Sequence, residues 1–373
     1  LSAENMYEGP TIVDGGTLKL GHKFGIGKVL YGGSYAQARG FTLRSGTFDI
    51  NGQVTYTPTG GPGNWLLLTP LVLAGRAGEE ISIIDSQHGG GFGLFRYGAN
   101  EARIIYDATN NPGAATISAA FSTSGYSGAE TRVIDVGDSS ATDIEVDFQS
   151  TLGQTGAIDG RETTIRKQGA GTMRISAANY FPRLHVAGGV LIANHDQALG
   201  VSRTGGLTNL LTLQNGTLQA DGANRAFDTP IALSSGSTST ISGDEWNLTL
   251  SGSITGSGSM IKSGTSNLVL SGTNTYTGNL AVNRGLLWID STTSLPGWDT
   301  AGRYSVADGA TLAVGNGILE SQVTAMLGTG NFTSGSSLAF DTTAGDRTHA
   351  AAISGPIGLT KLGSGTLTLS GNS

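Results

Sequence analysis

The feature that most constrains this chain is one stretch, residues 260–289, in which apolar and small polar residues alternate with period two and glycines break the run into short pieces. Such alternation sends successive side chains to opposite faces of an extended backbone, and glycine supplies the angles that corners need. Its fixed points are Lys262, Gly264, Leu268, Leu270, Asn274, Tyr276, Gly278, Val282, Gly285 and Leu287. The writing recurs. Residues 164–193 restate it with one residue deleted, at Lys167, Gly169, Gly171, Met173, Ile175, Asn179, Tyr180, Val186, Gly189 and Leu191. Residues 361–373 restate the first half, through Lys361, Gly363, Gly365, Leu367, Leu369 and Gly371. Residues 1–20 restate the second half, through Leu1, Asn5, Tyr7, Gly9, Val13, Gly16, Leu18 and Leu20. The chain thus starts inside one copy and stops inside another. The expectation is a segment of a longer array, with any leader lying upstream.

Short strands with Gly and Asn corners and no helical period suit a sandwich, a propeller or a β-helix. The lysines of successive copies stand 262 − 167 = 95 and 361 − 262 = 99 residues apart, longer than a propeller blade of about 40–45 residues. Tight Asn-Gly hairpin signals between alternating runs are rare, whereas antiparallel meanders depend on them. Equivalent apolar positions also return at a shorter interval, as from Leu268 to Leu287. A single all-β solenoid over residues 1–373, a right-handed parallel β-helix, is therefore expected, with an inward core of Leu, Ile and Val and Asn ladders near corners. At about 22 residues per coil, the chain would make about 17 coils and a rod of roughly 80 Å. Residues 81–130, with Gly89–Gly91, Phe92, Phe95, Tyr97 and Tyr106, read as a loop-rich excursion from the coil. The most helix-like interruptions are Asp196–Leu199 and Glu320–Leu327.

Composition narrows the function. Sixty glycines would suggest disorder, but 38% hydrophobic residues at regular spacing can fill a continuous core. A net charge of −7 argues against nucleic acid and anionic lipid, both of which need a basic face. No cysteine is present, so disulfides, thiolate metal sites and cysteine catalysis are excluded. No apolar run approaches the ~20 residues of a spanning helix.

Few residues invite chemistry. Asp143, Glu145 and Asp147 alternate with Ile144, Val146 and Phe148, which places three carboxylates on the outward face of one strand. Such a set could ligate Ca²⁺ or serve as a glycosidase pair. It reads first as a solvated face, because the outer two lie roughly 13 Å apart. The histidines His22, His88, His185, His195 and His349 have no metal-ligand spacing, and His185 is expected to point outward. Gly25-Ile-Gly27-Lys28 lacks the spacing and the helix of a phosphate loop. Trp65, Phe92, Phe95, Tyr97 and Tyr106 are expected in the core, with an outward contact surface as the other reading.

Read as one pattern, the copies resemble the passenger-associated transport repeat of bacterial autotransporters, also called the autotransporter-associated β-strand repeat. The pattern runs Lys361-x-Gly363-x-Gly365-Thr366-Leu367-x-Leu369-Ser370-Gly371 and is completed by Asn274, Tyr276, Gly278, Val282, Gly285 and Leu287. It departs at Ser266-Asn267, where the family has Gly-Thr, and at Leu280, where it has Thr. The resemblance implies a parallel β-helix exported by type V secretion across a Gram-negative outer membrane, with the membrane barrel not present in this chain. The expected protein is a non-enzymatic extracellular surface rod of adhesin type, without cofactors, contacting itself or the glycans or proteins of another cell. The alternatives are a polysaccharide-acting β-helix enzyme (lyase or glycoside hydrolase) with its site beside residues 81–130, and a trimeric fibre.

Overall fold

In the computed structural model the described residues are 5, 7–22, 25, 26, 28–30, 35–53, 65–87, 91–93, 102–122, 131–152, 163–180, 183–200 and 210–371. They fall into two compact units, residues 1–211 and 212–373. Both are coils of short strands laid one on another in parallel.

In the first unit one file of paired residues runs Val13, Leu43, Leu73, Tyr106 and Val136. A second runs Phe48, Ile83, Ile117, Phe148, Ile175 and Ala193, all at most 1% exposed. Period-two alternation builds these files, because every second side chain of each strand enters the core. The rings of Phe92 and Phe121 lie 5.1 Å apart, and those of Phe121 and Phe148 6.1 Å. Each fully buried Leu, Ile or Phe contributes about 1.5–3 kcal/mol. Antiparallel pairings also occur among the described residues. They include the hairpin of Lys28–Leu30 with Tyr35–Gln37 and the bridge Ala77–Pro112.

Coil length departs from expectation in this unit. One turn of the coil carries the chain from Val13 to Leu43, the next from Leu43 to Leu73, and a later one from Thr131 to Thr164. Each of these is well over the expected length. Only beyond Lys167, whose partner in the next coil is Val186, does the expected short coil begin. A uniform short coil, and the coil number and rod length built on it, therefore do not hold. The extra residues lie between paired strands, where period-two reading sees no register. Within 81–130, Ile81–Ile83 pairs in parallel with Ala115–Ile117, Gly91–Gly93 with Ala120–Ser122, and Ala102–Tyr106 with Arg132–Val136. His88, Phe95, Tyr97 and Gly27 lie outside the described residues.

The second unit is shorter-stepped. One file runs Leu248, Leu268, Leu287, Leu312, Leu338 and Leu359, each step close to the expected coil. Another runs Ile241, Lys262, Val282 and Val306. An α-helix, Glu320–Gly328, interrupts the coils where the sequence is most helix-like and buries Val323 and Met326. Asp196–Leu199 forms a turn instead, being too brief to propagate a helix. No helix among the described residues is long and apolar enough to cross a membrane.

The glycines of the repeat sit where backbone meets backbone. A Cβ added at Gly278 would run into the Gly258 carbonyl of the coil before it, whereas one at Gly328, at the end of the helix, meets nothing within 4 Å. Gly278→Ala should therefore lower unfolding stability by about 2 kcal/mol or more. Gly328→Ala should be neutral or stabilise by up to ~1 kcal/mol. Urea unfolding followed by far-UV circular dichroism measures both, and equal midpoints for the two variants would contradict the coil stacking.

Candidate functional site

The polar residues of the repeat form its distinctive site. Lys262 occupies an inward position, between Ile241 and Val282 in its file, and is 1% exposed. Its ammonium donates to the carbonyls of Ser263 at 2.8 Å and Gly264 at 2.8 Å in its own coil, and to that of Arg284 in the next at 3.0 Å. All three N–H groups are thereby used. Lys167 repeats the arrangement: it is fully buried and donates to the carbonyls of Gly169 (3.0 Å), Gly171 and Gly188 (2.9 Å). Lys361 makes the matching bond to the Gly363 carbonyl at 2.9 Å and is exposed. Gly285 completes the cradle. Its φ of +67° belongs to glycine, and a Cβ there would press against the Lys262 ammonium at 2.9 Å.

Burial is the main influence on both buried lysines and lowers each from 10.5 to about 8. Asp244 opposes it at Lys262, and Glu145, Asp135 and Asp138 oppose it at Lys167.

The signature asparagine ties three coils together. Oδ1 of Asn274 accepts the N–H of Ile254 at 2.8 Å, and its Nδ2 donates to the Ser294 carbonyl at 2.8 Å, 20 residues away on either side. Asn179 accepts from Leu152 N–H at 2.7 Å and donates to the Ala198 carbonyl at 3.0 Å. Asn5 donates to the Gly25 carbonyl at 2.8 Å. The expected corner ladder is a separate set: Asn247 N–H bonds Asn224 Oδ1, and Asn267 N–H bonds Asn247 Oδ1, each at 2.8 Å. Ser266, one of the departures from the family pattern, donates to the Gly243 carbonyl at 2.6 Å. The other signature residues, Leu268, Leu270, Tyr276, Gly278, Val282 and Leu287, line the core or the coil contact. Tyr276 is 1% exposed, its hydroxyl has no hydrogen-bond partner, and burial pushes its ionisation well up. Tyr180 is half-buried and Tyr7 is 39% exposed.

The three carboxylates expected on an outward face do not share an environment. Asp143 is exposed, but Glu145 is 1% and Asp147 3% exposed, while Ile144 is only half-buried. Glu145 is drawn in because its carboxylate caps two backbone donors, Ser139 N–H at 3.0 Å and Thr172 N–H at 2.5 Å. Asp147 does face outward, in register with Thr116 and Arg174, but it is covered by its partners. It accepts from Arg174 at 2.8 Å, Ser176 at 2.9 Å and Gln149 at 3.0 Å. Burial would raise its pKa, yet the bonds from Arg174, Gln149 and Ser176 outweigh it and hold the carboxyl below its ordinary value. Among the described residues no three His, Asp or Glu side chains gather as a metal site.

His185 is half-buried on the outward side of its strand, and His195 accepts Gln197 N–H at Nδ1, at 3.0 Å. His349 is buried against the Phe340 ring, 3.4 Å from the Glu320 carboxylate. Lys28 lies in the antiparallel hairpin. Phe92 and Tyr106 are core residues, the Tyr106 hydroxyl donating to the carbonyls of Pro112 and Gly113 at 2.9 Å each. Of Trp65 the backbone alone is described, in the strand Trp65–Leu73. The inward, fully buried Arg132 escaped sequence reading, although its alternation with Ile134 and Val136 carries the signal. The bond from Trp288 Nε1 to Asp341 at 2.9 Å spans 53 residues and has no sequence signal.

The family model of the passenger-associated-transport-repeat matches residues 1–20, 260–289 and 359–373. Neither a curated protein nor a solved structure matches the chain. The repeats indicate a protein of autotransporter-passenger type, a class secreted to the cell surface. Residues 164–193 lie outside the match, yet Lys167 and Asn179 make the bonds of Lys262 and Asn274.

Asn274→Ala should lower stability by about 2–4 kcal/mol, since a buried N–H and a buried carbonyl both lose their partner. Asn274→Asp, which keeps only an acceptor, should cost as much. Chemical unfolding at pH 7 checks both, and a loss under ~0.5 kcal/mol, the size of an ordinary surface substitution, would refute the tie.

Lys262 also sets a pH dependence. With a folded pKa near 8 and an ordinary value of 10.5, the unfolded chain holds the extra proton between those limits. Stability therefore rises with pH across that window, by at most about 1.4 kcal/mol per pH unit. Tyr276, whose folded pKa is raised above 10, acts oppositely: its contribution is complete below pH 10 and is lost above it. The second unit should be most stable near pH 10. Lys262→Met should cost about 1–3 kcal/mol at pH 7 by orphaning three carbonyls, and the deficit should widen towards pH 10. A constant deficit in urea melts from pH 7 to 10 would overturn this.

Proposed function

We propose that this chain, with its passenger-associated transport repeats, is a non-enzymatic part of an autotransporter passenger displayed outside a Gram-negative cell. There its stacked coils serve as a spacer and as an adhesive surface. The observation that carries the reading is what the repeat does with its polar side chains. The Lys262 ammonium and the Asn274 amide, the groups of the repeat best able to bind or react, are committed to backbone atoms of adjoining coils. A motif that spends its chemistry on joining coils is a structural motif. Each coil pairs with its neighbours and with little else, so such a chain can be laid down coil by coil as it emerges. The absence of cysteine suits the same route, since no disulfide could lock a chain before passage.

Display is tested on intact bacteria that make the full-length precursor. An antibody raised against residues 212–371 should label unpermeabilised cells, and externally added protease should remove the label while sparing a periplasmic marker. Labelling that appears only after permeabilisation would rule out the surface role.

A further inference from the structure

Two edges of the molecule carry complementary halves of one repeat, and both are open. Gly358–Leu362 pairs with Ser337–Asp341 and Leu367–Leu369 with Arg347–His349, each on one side, and no strand among the described residues lies on the other. Leu359 is 43% and Leu369 50% exposed, whereas their register partners Leu338 and His349 are 0% and 1%. The exposed Lys361 ammonium donates to the Gly363 carbonyl, one hydrogen bond among the described residues where Lys262 makes three. One bond it lacks is the one Lys262 sends into the next coil, to the Arg284 carbonyl beside Gly285. Residues 1–20 hold the counterparts of that coil, Gly15 for Arg284 and Gly16 for Gly285. Gly16 has the left-handed φ of Gly285, +64° against +67°. Yet a Cβ at Gly16 would meet nothing within 4 Å, where one at Gly285 would press on the Lys262 ammonium. Gly9, the counterpart of Gly278, likewise faces open space, while Gly278 lies against the Gly258 carbonyl. Ile12 is 50% exposed in the strand Thr11–Lys19.

We propose that these two edges join, residues 358–369 of one copy taking residues 9–20 of a second copy as their next coil. In the complete repeat Met260–Lys262 pairs with Leu280–Val282, and Leu268 with Leu287. Carried over residue by residue, Leu359, Thr360 and Lys361 stand opposite Thr11, Ile12 and Val13 of the second copy, and Leu367 stands opposite its Leu18. The Lys361 ammonium then reaches the second copy's Gly15 carbonyl, and Gly16 leaves it room. The unpaired N–H and C=O groups of a bare strand make such an edge a template for strand addition, and joining removes the exposed leucines from water. A second copy fits better than an arbitrary strand, because the cradle needs a left-handed glycine at one position. The joint uses a different edge of each partner, so every complex keeps one edge of each kind, and association either continues or closes into a ring. The inference goes beyond surface display and does not rest on it.

The test uses the purified chain, which has no cysteine of its own. Sedimentation equilibrium should show assembly that grows as the concentration rises from micromolar to submillimolar. Chain carrying Thr360→Cys, mixed with chain carrying Ile12→Cys, should form a disulfide heterodimer on oxidation, since register partners lie about 4.8 Å apart, within disulfide reach. Thr360→Cys mixed with Thr17→Cys, which is out of register, should cross-link about tenfold less. Lys361→Ala and Gly16→Ala should each weaken association about tenfold, and Arg284→Gln should leave it unchanged. Thermal melts confirm that each variant is folded. A chain that stays monomeric, equal cross-linking in and out of register, or parent-like association by folded Lys361→Ala or Gly16→Ala would each overturn the joint. Because the assay needs no cells, its failure leaves display untouched, and a failure of display leaves this result standing.

Discussion

Everything in this structure depends on the need of backbone carbonyls for donors at the corners between strands. Along the strands the parallel ladder satisfies N–H and C=O groups automatically, but at the glycine corners of the repeat the carbonyls of Gly169, Gly171, Gly188 and Gly264 turn away from it towards an inward file. Burying such oxygens unpaired costs about 1–3 kcal/mol each, and the penalty recurs with each copy of the repeat. The repeat meets it with one ammonium per cradle. Lys262 and Lys167 each reach from an inward file to three carbonyls, one of them in the following coil. Elsewhere hydroxyls do the same work, as when Ser266 bonds the Gly243 carbonyl, or Thr342 those of Leu362 at 2.8 Å and Gly365 at 3.0 Å.

That solution has a cost, which explains the rest of the motif. An ammonium without a carboxylate in contact is expensive in an apolar file, and burial accordingly lowers the pKa of Lys262. The cradle is tolerable because it is tight, and it is tight because Gly285 has no side chain to push the ammonium away. Asn274 then fixes the spacing of the coils on both sides, so that the Arg284 carbonyl arrives where the ammonium waits. Lysine, glycine and asparagine thus belong to one device, which is why they recur together, as Lys262, Asn274 and Gly285 and as Lys167, Asn179 and Gly189.

The parallel fold was legible because period two and a repeated glycine pattern admit few architectures, and Leu268 and Leu287 were already placed in one file. The roles of the polar residues were not legible. A lysine in an alternating run reads as surface, and only the register with Ile241 and Val282 shows that it points inward. The carboxylates failed for the converse reason. Glu145 has outward parity, but the N–H groups of Ser139 and Thr172, distant in the chain, draw it into a buried site. Coil length in the first unit was hidden because residues between strands carry no alternation to count.

The change of step at Lys167 has a physical consequence for how the repeat can be used. Before it, in the region of the long coils Val13 to Leu43 and Leu43 to Leu73, backbone groups close to the strand ends take partners from side chains such as Asp49 and Asp85. These carboxylates cap Asn51 N–H at 2.9 Å, Ser86 N–H at 3.1 Å and Gly52 N–H at 2.6 Å. After it, the coil from Lys167 to Val186 has little more than strands and corners, and the lysine cradle with the asparagine tie suffices. Shorter loops cost less entropy to close, so the coils that follow Lys167 need less enthalpy to hold. A repeat that builds the shortest coils with the fewest external contacts is the one that can be inserted at several points of a solenoid without reference to what surrounds it. The same signature accordingly returns in both units.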